Sequence, residues 1–429
     1  MSQLRNGKFI AKGLALAVTA VMVSTAHAGT AEQKQIQQLR QEVEALKSLI
    51  QQQQQVQQQQ QTQIEQVKAQ PVQLAAAPAA KSESALTGFK TKAGASVNLY
   101  GFVRGDANYI IEGADNDFNN THTSTGTTQD KLRATGKMSR LGLDFSAPVG
   151  DAKVGGKVEV DFASNDNSKS ENLRLRHAYL TYNDWLFGQT TSNFLSSHAP
   201  EMIDLNTNVG GGTARVPQVR YGFKLAPQTQ LLVSAEEGDS AGPTADIKYR
   251  LPNLTAKLTQ GFADGKGSVS ARALVENYKS TAADDDETGW GIAAGVNYQV
   301  ATPLKVSADV SHVEGNSNYL YGSNAAYSVV NGNIEQNKFD AVQVGATYKI
   351  LPNLRSTLAY GALFADDGTD FAKNNGTANE KVQQAWINFI YSPAAPIDLG
   401  VEYINGKRET FAGESYKDNR VGLMAKYNF

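Results

Sequence analysis

Cysteine is absent from the 429 residues, which removes disulfide frameworks, thiolate metal centres and cysteine nucleophiles together. Histidine is scarce, at 5 in the whole chain. His177 and His198 fall near Ser192, Ser196 and Ser197 in sequence. No motif marks any of these serines as a nucleophile held by a base, so hydrolase chemistry is not expected. No Gly-rich phosphate loop is found. Asp115-x-Asp117-x-Asn119 opens like a calcium loop but has Asn120 where glycine is required and Gly126 where glutamate is required. The expectation is a chain that is no enzyme, holds neither metal nor cofactor, and does not engage nucleic acid.

Long apolar runs are also missing, except at the start. Arg5, Lys8 and Lys12 precede an apolar segment from Gly13 to Val23, and Ala26-His27-Ala28 supplies a small-x-small cleavage pattern. Residues 1–28 therefore read as a secretory signal, with a mature chain beginning at Gly29. Removing it takes away three basic residues and no acidic one, moving the formal charge from −2 to −5. Beyond it, no stretch reaches the roughly 18 apolar residues that a membrane helix needs. An exported protein of the periplasm, outer membrane or medium follows.

Residues 29–70 are crowded with glutamine and lack proline, and from residue 32 they lack glycine too. A heptad frame places Ile36, Val43, Ile50 and Ile64 at a, with Leu39, Leu46 and Val67 at d. So narrow a stripe is buried only against copies of itself, which predicts a short periplasmic coiled coil. The alternative is a disordered Gln tract with chance spacing. Residues 71–94, with Pro71, Pro78 and an Ala-rich run, read as a linker.

From residue 95 to 429 the period changes to two. Val97, Leu99, Val103; Leu141, Leu143, Phe145; Trp290, Ile292, Ala294, Val296, Tyr298; and Val342, Val344, Ala346, Tyr348, Ile350 alternate with polar or Gly residues. Such segments, separated by turns, are the pattern of a transmembrane barrel. Short Pro-containing connections (Pro148–Asp151, Ala226–Gln228, Ala301–Pro303, Leu351–Asn353, Ser392–Pro396) alternate with long polar ones. The short turns belong on the periplasmic side and the long loops outside. The rhythm predicts an all-β barrel of about 16 antiparallel strands, with 244–251 absorbed into an outer loop and 18 strands left open. Val421, Leu423, Ala425, Tyr427 and Phe429 complete the last strand on an aromatic carboxyl terminus.

If the apolar positions face lipid, the alternate ones line water. Fifteen basic inward positions then oppose nine acidic ones. Arg104, Arg140, Lys157, Arg174, Arg176, Arg220 and Arg272 are the expected solute contacts. A wall dominated by one sign concentrates counter-ions, and arginine forks match carboxylates. These features predict an outer-membrane porin for small anions, dicarboxylates above all. A general diffusion pore, or a barrel whose coiled coil ties the membrane to peptidoglycan, is the alternative. The third outer loop, 192–213, carries His198, Glu201, Asp204 and Gly210-Gly211-Gly212. By analogy with general porins it folds inward, with Glu201 and Asp204 facing the arginines. A lid or a trimer contact is the competing role.

Several stretches resemble the DcaP-like family of outer-membrane channels. They are Lys157-Val-Glu159-Val-Asp161-Phe162, Leu173-Arg174-Leu-Arg176-His177-Ala178-Tyr179, Gly188-Gln189-Thr-Thr-Ser192-Asn193-Phe194, Pro200-Glu201-Met-Ile-Asp204 and Arg215-Val-Pro217-Gln218-Val-Arg220-Tyr221. The resemblance implies dicarboxylate uptake through basic pores in a homotrimer; outer-membrane lipid and lipopolysaccharide are the partners expected around the barrel. Ile/Val at a with Leu at d favours two strands in isolated coils, which leaves dimer against trimer undecided by the heptads.

Overall fold

The computed structural model describes residues 89–91, 94–163, 172–238 and 246–429. The expected signal, coiled coil and nearly all of the linker lie outside the described residues.

Sixteen antiparallel strands form one closed barrel. They are β1 (Ser96–Gly113), β2 (in two halves, Thr128–Thr135 and Arg140–Val149), β3 (Ala152–Asp161), β4 (Arg174–Tyr182), β5 (Trp185–Thr191), β6 (Arg215–Ala226), β7 (Thr229–Glu236) and β8 (Asn253–Phe262). They continue as β9 (Gly267–Ser280), β10 (Asp285–Ala301), β11 (Leu304–Glu314), β12 (Lys338–Leu351), β13 (Leu354–Ala365), β14 (Asn379–Ala394), β15 (Ile397–Thr410) and β16 (Ser415–Asn428). Closure comes from β16 pairing with β1, in register from Phe102 opposite Asn428 to Glu112 opposite Asn419. A closed ladder leaves no edge to be satisfied by lipid, which a membrane-spanning sheet requires. Both halves of β2 pair with β1. The break between them is bridged by Ser139, whose Oγ accepts from Arg104 N at 2.9 Å.

Side-chain burial is inverted relative to a water-soluble fold. Val103, Leu132 and Leu358 are 62–68% exposed on the outer face, whereas Arg420, Glu402 and Asp161 inside are 0% exposed. Alternation along every strand produces this, because successive side chains point to opposite faces. Tight turns such as Gly150 (φ 59°) and Asn183 (φ 50°) join strands at one end. The short segment Ile247–Tyr249 pairs with the outer end of β9, Lys248 lying opposite Lys279, so 244–251 adds no barrel strand. Its neighbourhood is latched by Asp246, which accepts from Thr281 Oγ1, Ala282 N and Tyr327 OH.

The lumen departs from a simple polar lining. Leu274, Val313, Phe339, Leu363 and Val382 point inward from β9, β11, β12, β13 and β14, where they are buried against Phe194, Leu195, Val209, Tyr319 and Leu320. Those partners belong to the third outer loop (192–214) and the sixth (315–337). The outer half of this wall is therefore an apolar seat for folded-in loops, and the strand alternation alone does not reveal it.

Candidate functional site

The third loop crosses the lumen and is fastened at each step. Ser196 Oγ donates to Asp309 Oδ2 at 2.5 Å, and Lys257 Nζ donates to the Leu195 carbonyl at 3.1 Å. His198 lies within 3.2 Å of Ser268 Oγ. Burial, reinforced by Arg272, Lys257 and Lys305, pushes its imidazole down to about 4, so it is neutral at neutral pH. Glu201 takes a bidentate bond from Arg355, at 2.9 and 2.8 Å, and its carbonyl accepts from Trp386 Nε1. Next, the backbone N–H groups of Ile203 and Asp204 donate to the two oxygens of Glu402 at 2.9 and 2.8 Å. Val209 returns along the wall, its carbonyl accepting from Gln343 Nε2 at 3.1 Å.

The glycine triplet completes the seat. A Cβ on Gly210 would strike the Val342 carbonyl, and one on Gly212 would strike the Tyr319 carbonyl. These are close backbone approaches that only glycine permits. The first outer loop adds to the lining: Asn119 N donates to Asp204 Oδ2 at 2.6 Å.

The two loop carboxylates occupy different settings. Glu201 meets one wall arginine, Arg355, on β13. Asp204 meets no arginine fork. It is 2% exposed, and burial raises its carboxyl to about 6 against the pull of Arg420 and two backbone donors. The expectation that both acids face the arginines across a constriction is thus corrected for Asp204. Backbone N–H groups of the first and third loops, from Asn119 and Asn206, take that carboxyl instead.

The third loop is bonded to the wall from β6, where Arg220 meets Asn193, through β7, where Asn193 meets Ser234, and on to β1, where Arg104 meets the Ile203 carbonyl; most of the wall from β2 to β6 is left to line the passage. Arg140 sits on β2, Lys157 on β3, Arg174 and Arg176 on β4, and Arg220 on β6. Three acids answer them: Asp144, Glu159 and Asp161. Arg174 forks onto Asp161 at 2.8 and 2.7 Å. Arg176 bridges Glu159 at 2.7 Å and Asp161 at 2.8 Å. Its position owes to a bulge in the β3–β4 pairing at Glu159/Val160, which re-aims side chains at one point of the ladder. Arg140 reaches Glu159 only at 3.4 Å, with its guanidinium 5.1 Å from the Phe102 ring centre. Lys157 lies 3.3 Å from Asp144 and 4.7 Å over the Tyr100 ring. Arg220 has only a long bond, 3.5 Å, to Asn193 Oδ1.

Arg104 and Arg272 are committed elsewhere. Arg104 is 6% exposed, bonded to Asp106 and the Ile203 carbonyl, each at 2.6 Å. Arg272 is 4% exposed and held 2.5 Å from Asp309. Both fix the loop and wall in place, whereas Arg140, Lys157, Arg174 and Arg220 remain partly exposed to the lumen.

One cation of this wall is absent from the expected contacts. Arg215, the first residue of β6, interacts electrostatically with Arg176, Arg174 and Arg140. Its signal was its place five residues before Arg220 on the same strand; strict alternation, which puts it in the opposite phase, hid it. Arg140, Lys157, Arg174, Arg176 and Arg220 thus stand beside three carboxylates, with Arg215 in their electrostatic neighbourhood.

The arrangement is a lumen with one charged wall and one loop-covered wall. It gathers no nucleophile with a base, and no group of three or more metal-ligating side chains is found among the described residues. No curated protein matches the chain. Among solved structures, the outer membrane channel DcaP of Acinetobacter baumannii is 71% identical, with a TM-score of 0.79 over 80% of this chain and 100% of that one. An anion-selective porin from Comamonas acidovorans shares the fold at 13% identity and TM-score 0.53, covering 78% of this chain and all of that one. OmpT of Vibrio cholerae does so at 15% identity and TM-score 0.52, over 79% and 99% of the two chains. Residues 27–429 match the DcaP outer membrane protein family. A closed barrel with its apolar face outward, a wetted lumen and this match agree: the chain belongs to the DcaP outer membrane protein family, whose members are channels and not enzymes.

Proposed function

We propose that this outer-membrane channel admits small anions by passive diffusion and favours dicarboxylates. The observation that carries the reading is the imbalance of the β2–β6 cluster, where Arg140, Lys157, Arg174, Arg176 and Arg220 stand beside Asp144, Glu159 and Asp161, in a chain whose overall charge is −2. A narrow aqueous path beside such a wall raises the local concentration of anions and lowers that of cations. Two basic groups succeed one another around the passage. Arg140, Arg174 and Arg176 form the first; Arg220, Lys257 and Lys305 lie around the β6–β11 side. A solute with a carboxylate at each end engages both groups at once, and a monoanion engages one. The second contact then acts at high effective concentration.

The identities of the contact residues, Arg140, Lys157, Arg174 and Arg220, are part of this proposal, with the buried Arg176 adding its charge to the wall rather than a contact. So are a homotrimer, a periplasmic coiled coil at 29–70 and contact with lipopolysaccharide. Peptidoglycan as a partner of that coil is the structural alternative, and deleting 29–70 separates the roles. Loss of the oligomer with intact single-barrel conductance would assign the segment to assembly. An intact oligomer with weakened envelope integrity would assign it to tethering.

Liposome swelling tests the solute preference. Succinate is expected to enter about severalfold faster than a neutral diol or a diamine of matched size, the enrichment a basic wall produces. Equal rates at equal size would reduce the protein to an unselective diffusion pore.

A further inference from the structure

We infer that Arg355 is a carboxylate-exchange position: an entering solute displaces the Glu201 side chain from the Arg355 guanidinium, and Lys349, opposite on β12, takes the second carboxylate of a diacid. The inference rests on the anion-preferring reading above. It adds a place in the loop-covered wall where a solute competes with the protein's own carboxylate.

Glu201 already meets Arg355 as a solute carboxylate would. Arg355 Nε donates to Glu201 Oε2 at 2.9 Å, and Nη2 donates to Oε1 at 2.8 Å, the planar fork that suits a guanidinium. Arg104, Arg176 and Arg272 are buried with their acids. The Arg355–Glu201 pair is more open, its two side chains 30% and 35% exposed. Ion pairs so exposed add little stability, so one carboxylate replaces another there with little loss. The other acid near Arg355, Asp398, stands 3.9 Å away and is held by Lys426 at 2.9 Å. Ser392 Oγ accepts from Arg355 Nη1 at 3.4 Å, which keeps the guanidinium oriented when Glu201 leaves.

The third loop holds its path without the Glu201 side chain. The Glu201 carbonyl accepts from Trp386 Nε1 and Asn388 Nδ2, each at 3.1 Å. The next anchors are the Ile203 and Asp204 N–H groups on Glu402. The carboxylate therefore swings off Arg355 while the backbone stays pinned. Lys349 lies directly opposite Arg355 in the β12–β13 register. Like charges so placed destabilise a sheet, yet Lys349 is exposed and makes no ion pair among the described residues. A bound diacid removes that cost. Residues directly opposite hold their Cβ atoms about 4.5–5.5 Å apart, so one short diacid spans both cations, whereas a monoacid uses only the fork.

Planar-bilayer recordings of the purified full-length protein test this, with succinate and acetate as probes and saturable block of the chloride current as the readout. Glu201→Gln removes the resident competitor, and succinate half-saturation is expected to tighten about tenfold, the worth of one charge-assisted contact. Arg355→Gln is expected to weaken it by about tenfold, for the same reason. A fork that only braces the loop predicts one direction for both variants, because either change breaks the same bond. Opposite shifts therefore support the exchange; like shifts, or none, overturn it. Lys349→Gln should weaken succinate and leave acetate as in wild type. That variant decides the matter where a loop variant fails to insert, and wild-type succinate block in it overturns the two-cation seat. Lys373→Gln, on an exposed pair with Asp370, should change neither probe. Every variant should keep an anion-directed reversal potential, because Arg140, Lys157, Arg174 and Arg220 remain. A cation-directed wild-type potential would sink the channel reading itself.

Discussion

Replacing Glu402 with leucine is expected to open the channel. Glu402 is 0% exposed, and its two oxygens receive the Ile203 and Asp204 N–H groups of the third loop. It also accepts from Asn388 Nδ2 at 3.0 Å. Leucine fills the volume but accepts nothing, so two buried backbone donors lose their partners, at about 1–3 kcal/mol each. The loop is anchored at many other points, among them the Glu201–Arg355 fork and the Val209–Gln343 bond. The expected result is therefore a loop that leaves its seat for part of the time, with the barrel intact. Single-channel conductance should rise about twofold or more as that open population appears. Glu402→Gln keeps one acceptor oxygen and should fall between wild type and Glu402→Leu. Unchanged conductance in the leucine variant would mean that the third loop does not set the width of the passage.

Removing Arg176 is expected to have a large effect on stability. Its guanidinium bridges Glu159, 5% exposed, and Asp161, 0% exposed. Breaking a buried pair leaves an uncompensated charge, which costs about 3–5 kcal/mol. Arg174 stays on Asp161 and Tyr100 on Glu159, so Arg176→Ala should fall near the lower end, about 3 kcal/mol. The measurement is the urea midpoint of the barrel folded in detergent micelles. Combining Arg176→Ala with Glu159→Gln should recover part of the loss, because the second change removes a charge that the first orphaned. A single variant as stable as wild type would show that the wall carboxylates need only their other partners. Arg174→Ala offers an internal comparison: its side chain is 36% exposed, so its ion pair is better screened and its loss should cost less.

Much of the fold is legible in the sequence because the bilayer imposes period two on every strand. Val103 beside Arg104, or Leu175 between Arg174 and Arg176, already states which side is oily. The Pro-rich short turns and long polar loops state which end is which, and the even strand number follows from closure. Chemistry inside the lumen is less legible, since it depends on register and loop paths that no local pattern encodes. Arg104, Arg174 and Arg220 look alike in sequence. Only cross-strand register and the Glu159/Val160 bulge decide that Arg174 meets a buried aspartate while Arg220 meets a single amide oxygen.

Asp204 carried the same ambiguity. Its place in the third loop points it at the arginines, yet the first loop, distant in sequence, supplies one of the two N–H groups that hold it. The inward apolar residues Leu274, Leu363 and Val382 show the reverse problem, because they read as exceptions to the alternation until the loop that covers them is known. Gly210-Gly211-Gly212 was the one readable clue, three residues without side chains in a loop that must pass against Val342 and Tyr319.

The central claim is that the uncovered wall of this pore is electropositive. The reversal potential of the wild-type channel in a planar bilayer under a KCl gradient measures it most directly. The account predicts a potential of the sign set by chloride, shrinking as ionic strength rises and the wall charges are screened. A potential of the sign set by potassium would contradict it.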